Sequence, residues 1–281
     1  MYSYGIMQGR LTAPLGRGIQ FFPFGNWEKE FYQAKDLGLN EIEFIFDFER
    51  YEENPLWSRS GIEALKKVME ETGVKVHSVC FDYFMRRAFF KKDGDEKQKL
   101  RVENAQILQH ILNAMKELGI GLIEIPLVDD SSLGNEKNKE EFRRFILEIA
   151  AQTNNEIKFG LETDLPPKEF ETFLKDINLD GIGANYDSGN SSGLGYDMYE
   201  EVTTLGSNIF NIHIKDRVYK GTTVELGTGS ADFHGLFKGL KEIGYTGAFI
   251  LQAARGEEGK ESENIAKQIR FVKEYVDRYL G

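Results

Sequence analysis

Leu100 to Val128 reads LRVENAQILQHILNAMKELGIGLIEIPLV, and the fold is decided there. Leu100, Ile107, Leu108, Ile111, Leu112, Met115 and Leu118 recur at the period of a helix and fall on one face. Gly119 follows as a C-cap, since glycine takes the left-handed conformation that ends a helix without strain. The apolar run Leu122–Val128 then begins at once. Helix, glycine, strand is the signature of an αβ connection.

The same signature recurs along the chain. Lys35-Asp-Leu-Gly38, Glu70-Glu-Thr-Gly73 and Glu242-Ile-Gly244 each close a helical pattern just before an apolar run. The runs are Tyr4–Met7, Ile42–Phe46, Val74–Phe81, Leu122–Val128, Ile157–Leu161, Gly181–Tyr186, Ile209–Ile214 and Ala248–Leu251, eight in all. Several are unbroken, as expected of parallel strands covered on both faces. A last helix over about Glu261–Tyr279 carries Ile265, Ile269, Val272, Val276 and Tyr279 on one stripe. Eight βα units without a long linker predict a single (β/α)8 barrel over residues 1–281. The competing doubly wound sheet often has a glycine-rich phosphate loop after its first strand. Here the first run leads into Gln8-Gly-Arg-Leu-Thr, which is no such loop.

Composition narrows the function. The 281 residues are 41% hydrophobic and 29% charged, with a net charge of −11. That balance argues against a sequence-independent grip on nucleic acid, which needs clustered Lys and Arg. The lone cysteine, Cys80, excludes an internal disulfide framework and a multi-cysteine zinc site, and its place in an apolar run reads as a core thiol. Met1–Arg10 has no apolar signal core, and no run approaches the roughly 20 apolar residues of a membrane span. The expectation is a cytoplasmic enzyme with no membrane partner.

In such a barrel the residues at the carboxyl ends of the strands make the active site. Those ends supply Gln8 and Arg10, Glu43 and Asp47, His77 and Asp82, and Glu124 with Asp129 and Asp130. The later strands supply Glu162 and Asp164, Asn185 and Asp187, His213 with Lys215, Asp216 and Arg217, and finally Gln252 and Arg255. Glu162 to Asp187 is 25 residues, Asp187 to His213 is 26, and His213 to Gln252 is 39. Each interval is about one βα unit, so the four stand on successive strands at similar heights. Two carboxylates, an imidazole and a carboxamide oxygen converging in one bowl suit a divalent cation such as Mn²⁺, Mg²⁺, Co²⁺ or Zn²⁺.

At these residues the chain resembles the xylose-isomerase-like barrel superfamily of sugar-phosphate isomerases and epimerases. Leu161-Glu-Thr-Asp164 resembles the strand-five motif whose glutamate binds metal. Asn185-Tyr-Asp-Ser-Gly-Asn190 resembles the strand-six motif Asp-x-Gly-Asn/His. Ile212-His-Ile-Lys-Asp-Arg217 and Glu225-Leu-Gly-Thr-Gly-Ser-Ala-Asp-Phe233 are similar to the His-x-Lys-Asp motif and the glycine-rich loop after it. The resemblance implies that Glu162, Asp187 and His213 are metal ligands and that Glu162 also moves a proton. It implies that Asn190 touches a substrate hydroxyl and that Arg217 anchors a phosphate or carboxylate. Glu43 matches a glutamate often found in strand two, and Gln8 is expected to face the bowl with Arg10. Homo-oligomers are common in the family. Its zinc endonucleases need a histidine-rich trinuclear cluster, and a chain with four His and a net charge of −11 does not match them.

One departure matters. Isomerases and epimerases of this type usually carry a second glutamate at the end of strand eight, where this chain reads Phe249-Ile-Leu-Gln252. A glutamine can ligate metal through its amide oxygen, but the neutral amide cannot act as a base. Glu257, Glu258 and Glu124 are candidate substitutes, and Arg255 suits an anionic substrate. The expectation is therefore a divalent-metal-dependent isomerase or epimerase of a sugar or sugar phosphate, working through an enediolate. Two alternatives stand beside it. One is a metal-dependent dehydratase of a keto-polyol, which needs only one base. The other is a sugar-binding barrel that has lost catalysis because Gln252 replaces the second carboxylate.

Overall fold

The computed structural model describes residues 2–153 and 156–281. Its eight barrel strands are β1 (Tyr4–Met7), β2 (Glu41–Ile45), β3 (Lys75–Cys80), β4 (Leu122–Leu127), β5 (Lys158–Thr163), β6 (Ile182–Asp187), β7 (Ile209–Ile214) and β8 (Phe249–Leu251). All pair in parallel, and β8 closes on β1 through Tyr4↔Phe249 and Ile6↔Leu251. Every run expected from the sequence is a strand, with ends displaced by no more than two residues.

The outer ring comprises α1 (Trp27–Asp36), α2 (Arg59–Thr72), α3 (Gly94–Leu118), α4 (Glu136–Ala150), α5 (Pro167–Ile177), α6 (Met198–Leu205), α7 (Phe233–Glu242) and α8 (Glu261–Tyr279). Helix α3 buries Leu100, Ile107, Leu108, Ile111, Leu112 and Met115 against the sheet and stops at Gly119, whose φ is 71°. Each such aliphatic side chain taken from water contributes about 2 kcal/mol, which outweighs the weak helix propensity of so polar a segment.

Two irregularities shape the barrel interior. The β2–β3 register runs Ile42↔Val76 and then Glu43↔Ser78, so His77 is an extra residue. The β6–β7 register runs Ala184↔Ile209 and then Asn185↔Asn211, so Phe210 is extra. A one-residue slip moves a side chain to the other face of a strand. Here the slips align Ser78 with Glu43 and Asn211 with Asn185. His77 meets Glu41 instead, with Nδ1 2.9 Å from Oε2.

The first loop is tied down from below. Buried Glu30 accepts from the backbone N–H of Gly9 at 2.8 Å and of Leu11 at 3.1 Å. Phe22 packs its ring 5.4 Å from that of Phe44, and Trp27 lies against Phe31 and Phe44. The aromatic cluster after Gln20 is thus core packing beneath a long loop. Among the described residues no helix is long and apolar enough to cross a membrane.

Candidate active site

Asp187 is the last residue of β6, and its register partner is His213 on β7. Pairing at the strand end brings the two side chains together. Glu162, near the end of β5, completes the group: one ligand atom from each of Glu162, Asp187 and His213 lies within 4.8 Å of the others. All three side chains are buried. Nδ1 of His213 is 3.1 Å from Oε2 of Glu162 and 3.8 Å from Oδ2 of Asp187.

Glu43 lies on the far side of the imidazole. Its Oε1 is 2.6 Å from Nε2 of His213, with neither side chain exposed. That contact assigns the proton to Nε2 and turns the Nδ1 lone pair toward Glu162 and Asp187. Ser78 and Asn211 both donate to Oε2 of Glu43, the latter at 2.8 Å. Asn211 also donates to Oδ1 of Asn185 at 2.7 Å, and Asn185 in turn donates to Oε2 of Glu162 at 3.1 Å. The layer beneath the site is therefore a hydrogen-bonded polar network built by the two register slips.

The charges follow from this packing. Burial alone would favour a neutral His213, but Glu43, Asp187 and Glu162 hold its pKa well above the ordinary value. Burial would likewise raise Asp187, yet Lys215, His213 and the Asn190 N–H pull it down. Glu43 is also lowered, its burial outweighed by His213 and Ser78. Glu124 goes the other way: burial, then the charges of Glu162 and Glu43, push it well up. Nδ1 and two carboxylate oxygens are electron-rich atoms aimed at one point. Either a proton or a cation reconciles them, so the donor set fits a divalent metal that displaces the Nδ1 proton.

Around this centre the other expected residues take distinct places. Asn190 donates to Oε1 of Glu162 at 2.6 Å, while Oδ1 of Asp187 caps its helix through the N–H groups of Gly189 and Asn190. Gly189 is required: a Cβ there would come 2.4 Å from Cγ of Lys215. Lys215 uses that space to place Nζ 3.1 Å from Oδ2 of Asp187 and 3.1 Å from Oε1 of Gln252. Gln252 thus stands at the fourth corner, and an ammonium fills the position between it and Asp187. Arg217 donates to the Gly221 carbonyl at 2.9 Å and lies 3.4 Å from Oδ1 of Asn190.

Gln8 is buried, and its Oε1 accepts from Ile45 N–H at 3.0 Å. Arg10 is buried and donates to the carbonyls of Ile19 and Gln252. Its pKa falls to about 9, first through burial and then through Arg255. Arg255 donates to the carbonyls of Gly9, Thr12 and Ile19, so it clamps the first loop to the end of β8. Asp216 shapes the strand-seven end through backbone amides: it accepts from Gly227, Gly229 and Ala231. Arg87 is held by Glu103 at 2.9 Å and stays out of the site.

The ion pair of Lys215 with Asp187 follows the charge pattern at the strand-seven end, but sequence reading missed the contact of Lys215 with Gln252 and the hydrogen bonds by which Gln20 joins Gln252 to Asp82. Lys215 lies within the His-Ile-Lys-Asp motif, which was the available signal. Gln20 sits in an irregular loop and left none.

Comparisons with known proteins agree with this fold. The chain is 26% identical over 275 residues to the L-ribulose-5-phosphate 3-epimerase UlaE of Salmonella heidelberg strain SL476, covering 94% of this chain and 93% of that protein. A solved L-ribulose 3-epimerase superposes with a TM-score of 0.78 at 15% identity, covering 99% of this chain and 96% of the other. The IOLI protein, solved with a binding zinc atom, superposes at 0.75 with 20% identity and 99% coverage of both chains. The profile of one family matches residues 31–275, and on that match the chain belongs to the xylose isomerase-like TIM barrels.

Proposed function

We propose that this protein is a divalent-metal-dependent epimerase of a ketose or ketose phosphate, acting at the carbon beside the carbonyl. The observation that carries the reading is the convergence of Glu162, Asp187 and His213 within 4.8 Å, with Glu43 fixing the imidazole. The 26% identity to L-ribulose-5-phosphate 3-epimerases over nearly the whole chain supports the choice of reaction.

Glu162, Asp187 and Nδ1 of His213 would hold the cation, with Oε1 of Gln252 as a fourth donor once Lys215 withdraws. A bound divalent ion supplies Lewis-acid polarisation of the substrate's carbonyl and hydroxyl oxygens. Glu162 is the base: it takes the proton from the carbon beside the carbonyl and leaves an enediolate. Asn190, hydrogen-bonded to Glu162, orients that carboxylate and meets a substrate hydroxyl. The Lys215 ammonium, beside Asp187 and Gln252, would offset negative charge on the enediolate oxygens. Arg217 at the rim anchors a phosphate or another anionic group, as a guanidinium does well.

The test is metal content together with proton exchange. Purified protein is assayed for bound metal, stripped with chelator and reloaded separately with Mn²⁺, Mg²⁺, Co²⁺ or Zn²⁺. L-ribulose 5-phosphate and a panel of free ketoses are then followed in D2O. Deuterium at the carbon beside the carbonyl, with the inverted epimer appearing only in reloaded protein, is the expected result. Loss of water from the substrate without epimer formation would point to the dehydratase instead. A reloaded protein that exchanges no ketose would end the epimerase reading.

A further inference from the structure

Inverting a carbon centre through an enediolate needs a proton removed from one face and another delivered to the opposite face. Glu162 serves one face, and Gln252 cannot serve the other. Glu124 is 1% exposed and lies beneath the ligand layer, so no substrate reaches it. Glu257 is 71% exposed and paired with Lys260 on the outer loop. Asp82, immediately after β3, is different. It occupies the N-cap position of the short helix Tyr83–Arg87, where an aspartate ordinarily bonds to the helix N–H groups, yet it makes no such bond. Its Oδ2 instead accepts from Nε2 of Gln20 at 3.2 Å. Oε1 of the same Gln20 accepts from Nε2 of Gln252 at 3.0 Å. Asp82 is therefore one carboxamide away from the residue that replaces the second glutamate.

We propose that Asp82 is the second acid–base residue of the reaction, delivering a proton to the face of the enediolate opposite Glu162. The inference rests on the epimerase reading given above. Asp82 is half-buried at the carboxyl end of the barrel. Burial first, then the charge of Asp47, raise its carboxyl to about 6, with Glu162 adding to the rise while the Gln20 hydrogen bond and Arg86 oppose it. A carboxyl titrating near neutrality both donates and accepts a proton at modest cost. In the forward direction the Glu162 carboxylate takes the C–H proton and the electron pair passes to the carbonyl oxygen. The Asp82 carboxylic acid then protonates the same carbon from the other side, and the carbonyl re-forms. Glu162 is left protonated and Asp82 ionised, so the enzyme resets by proton exchange with solvent. The reverse reaction begins with Asp82 as the base.

The experiment uses the metal-loaded protein in D2O with L-ribulose 5-phosphate and, separately, its C3 epimer. Wild type, Asp82→Asn and Asp82→Glu are compared by NMR, with thermal melting showing that each variant is folded. The expected result is that D82N still exchanges deuterium into one epimer, the one whose C–H faces Glu162. Exchange into the other epimer and net inversion fall at least about 100-fold, the usual contribution of a positioned acid or base. D82E restores part of the inversion. D82N inverting within threefold of wild type, or losing exchange in both epimers equally, overturns the role of Asp82 and leaves the epimerase reading standing. An inert wild type overturns both.

Discussion

Glu43 and His213, 170 positions apart in the chain, meet at 2.6 Å in the barrel interior with no solvent exposure. The contact spans from β2 to β7, and it decides which nitrogen of the imidazole faces the carboxylates. Partners of this kind typically account for 10–100-fold in metal affinity. Glu43→Gln keeps the size of the side chain but gives up the charge that holds a proton on Nε2. Its affinity for Mn²⁺, measured by calorimetric titration of stripped protein, is expected to fall about tenfold or more. An unchanged affinity would mean that the ring is oriented without the charge of Glu43, by neighbours such as Asn185.

On the proposed function, Lys215 would compete with a metal for Asp187. Its Nζ is 3.1 Å from Oδ2 of that residue, so a divalent cation must displace the ammonium or bind beside a like charge. Lys215→Met removes the repulsion and preserves the stem that passes Gly189. The variant is expected to bind Mn²⁺ about tenfold more tightly while turning over ketose more slowly, because the enediolate loses a neighbouring positive charge. Weaker metal binding would show instead that Lys215 props Asp187 in place.

Gln252→Glu tests the fourth corner from the other direction. A carboxylate there would pair with Lys215 and present an anionic ligand. Tighter metal binding is expected, again by titration. If Asp82 already serves as the second base, the inversion rate of Q252E changes little, and the double variant D82N/Q252E recovers inversion that D82N lacks.

Asp216 holds the glycine-rich loop after β7. It is fully buried and accepts from the N–H groups of Gly227 and Gly229 at 2.9 Å and of Ala231 at 3.0 Å. Gly229 packs against it so closely that a Cβ would sit 2.2 Å from Oδ1. Asp216→Ala leaves three amides without their acceptor and is expected to cost about 2–4 kcal/mol. The urea midpoint reports the loss, and a cost near zero would mean that water replaces the carboxylate.

Glu201 gives a pH signature. Burial pushes its carboxyl up to about 7 from an ordinary 4.5, against the hydrogen bonds of Ser191 and Tyr186. The folded pKa lies above the unfolded one, so the native state holds the extra proton. Its contribution to stability is complete below about 4.5 and is lost as pH rises through about 7. Glu201→Gln cannot titrate. Between pH 5 and pH 8 the variant should gain on wild type by on the order of 1–3 kcal/mol in urea unfolding. Parallel curves for the two proteins would show that the buried carboxyl does not carry the proton.

The barrel itself was legible without coordinates, because parallel strands buried on both faces leave apolar runs and the helices between them end in glycine. Leu122–Leu127 and Ile209–Ile214 are recognisable for that reason alone. The triad Glu162, Asp187 and His213 was legible too: in a barrel, residues one βα unit apart at strand ends must stand side by side. Spacing along the chain says nothing about register slips, which left His77 against Glu41 and set Ser78 and Asn211 beneath Glu43. Nor does it say where a long flexible side chain or an irregular loop comes to rest. Lys215 reaches Gln252, and Gln20 joins Gln252 to Asp82, only because the closed barrel brings β3, β7, β8 and the first loop around one bowl. Local patterns determined the scaffold and which polar residues share its rim, since those depend on periodicity. The tertiary structure alone decided which charges face one another, since that depends on distances between residues far apart in sequence.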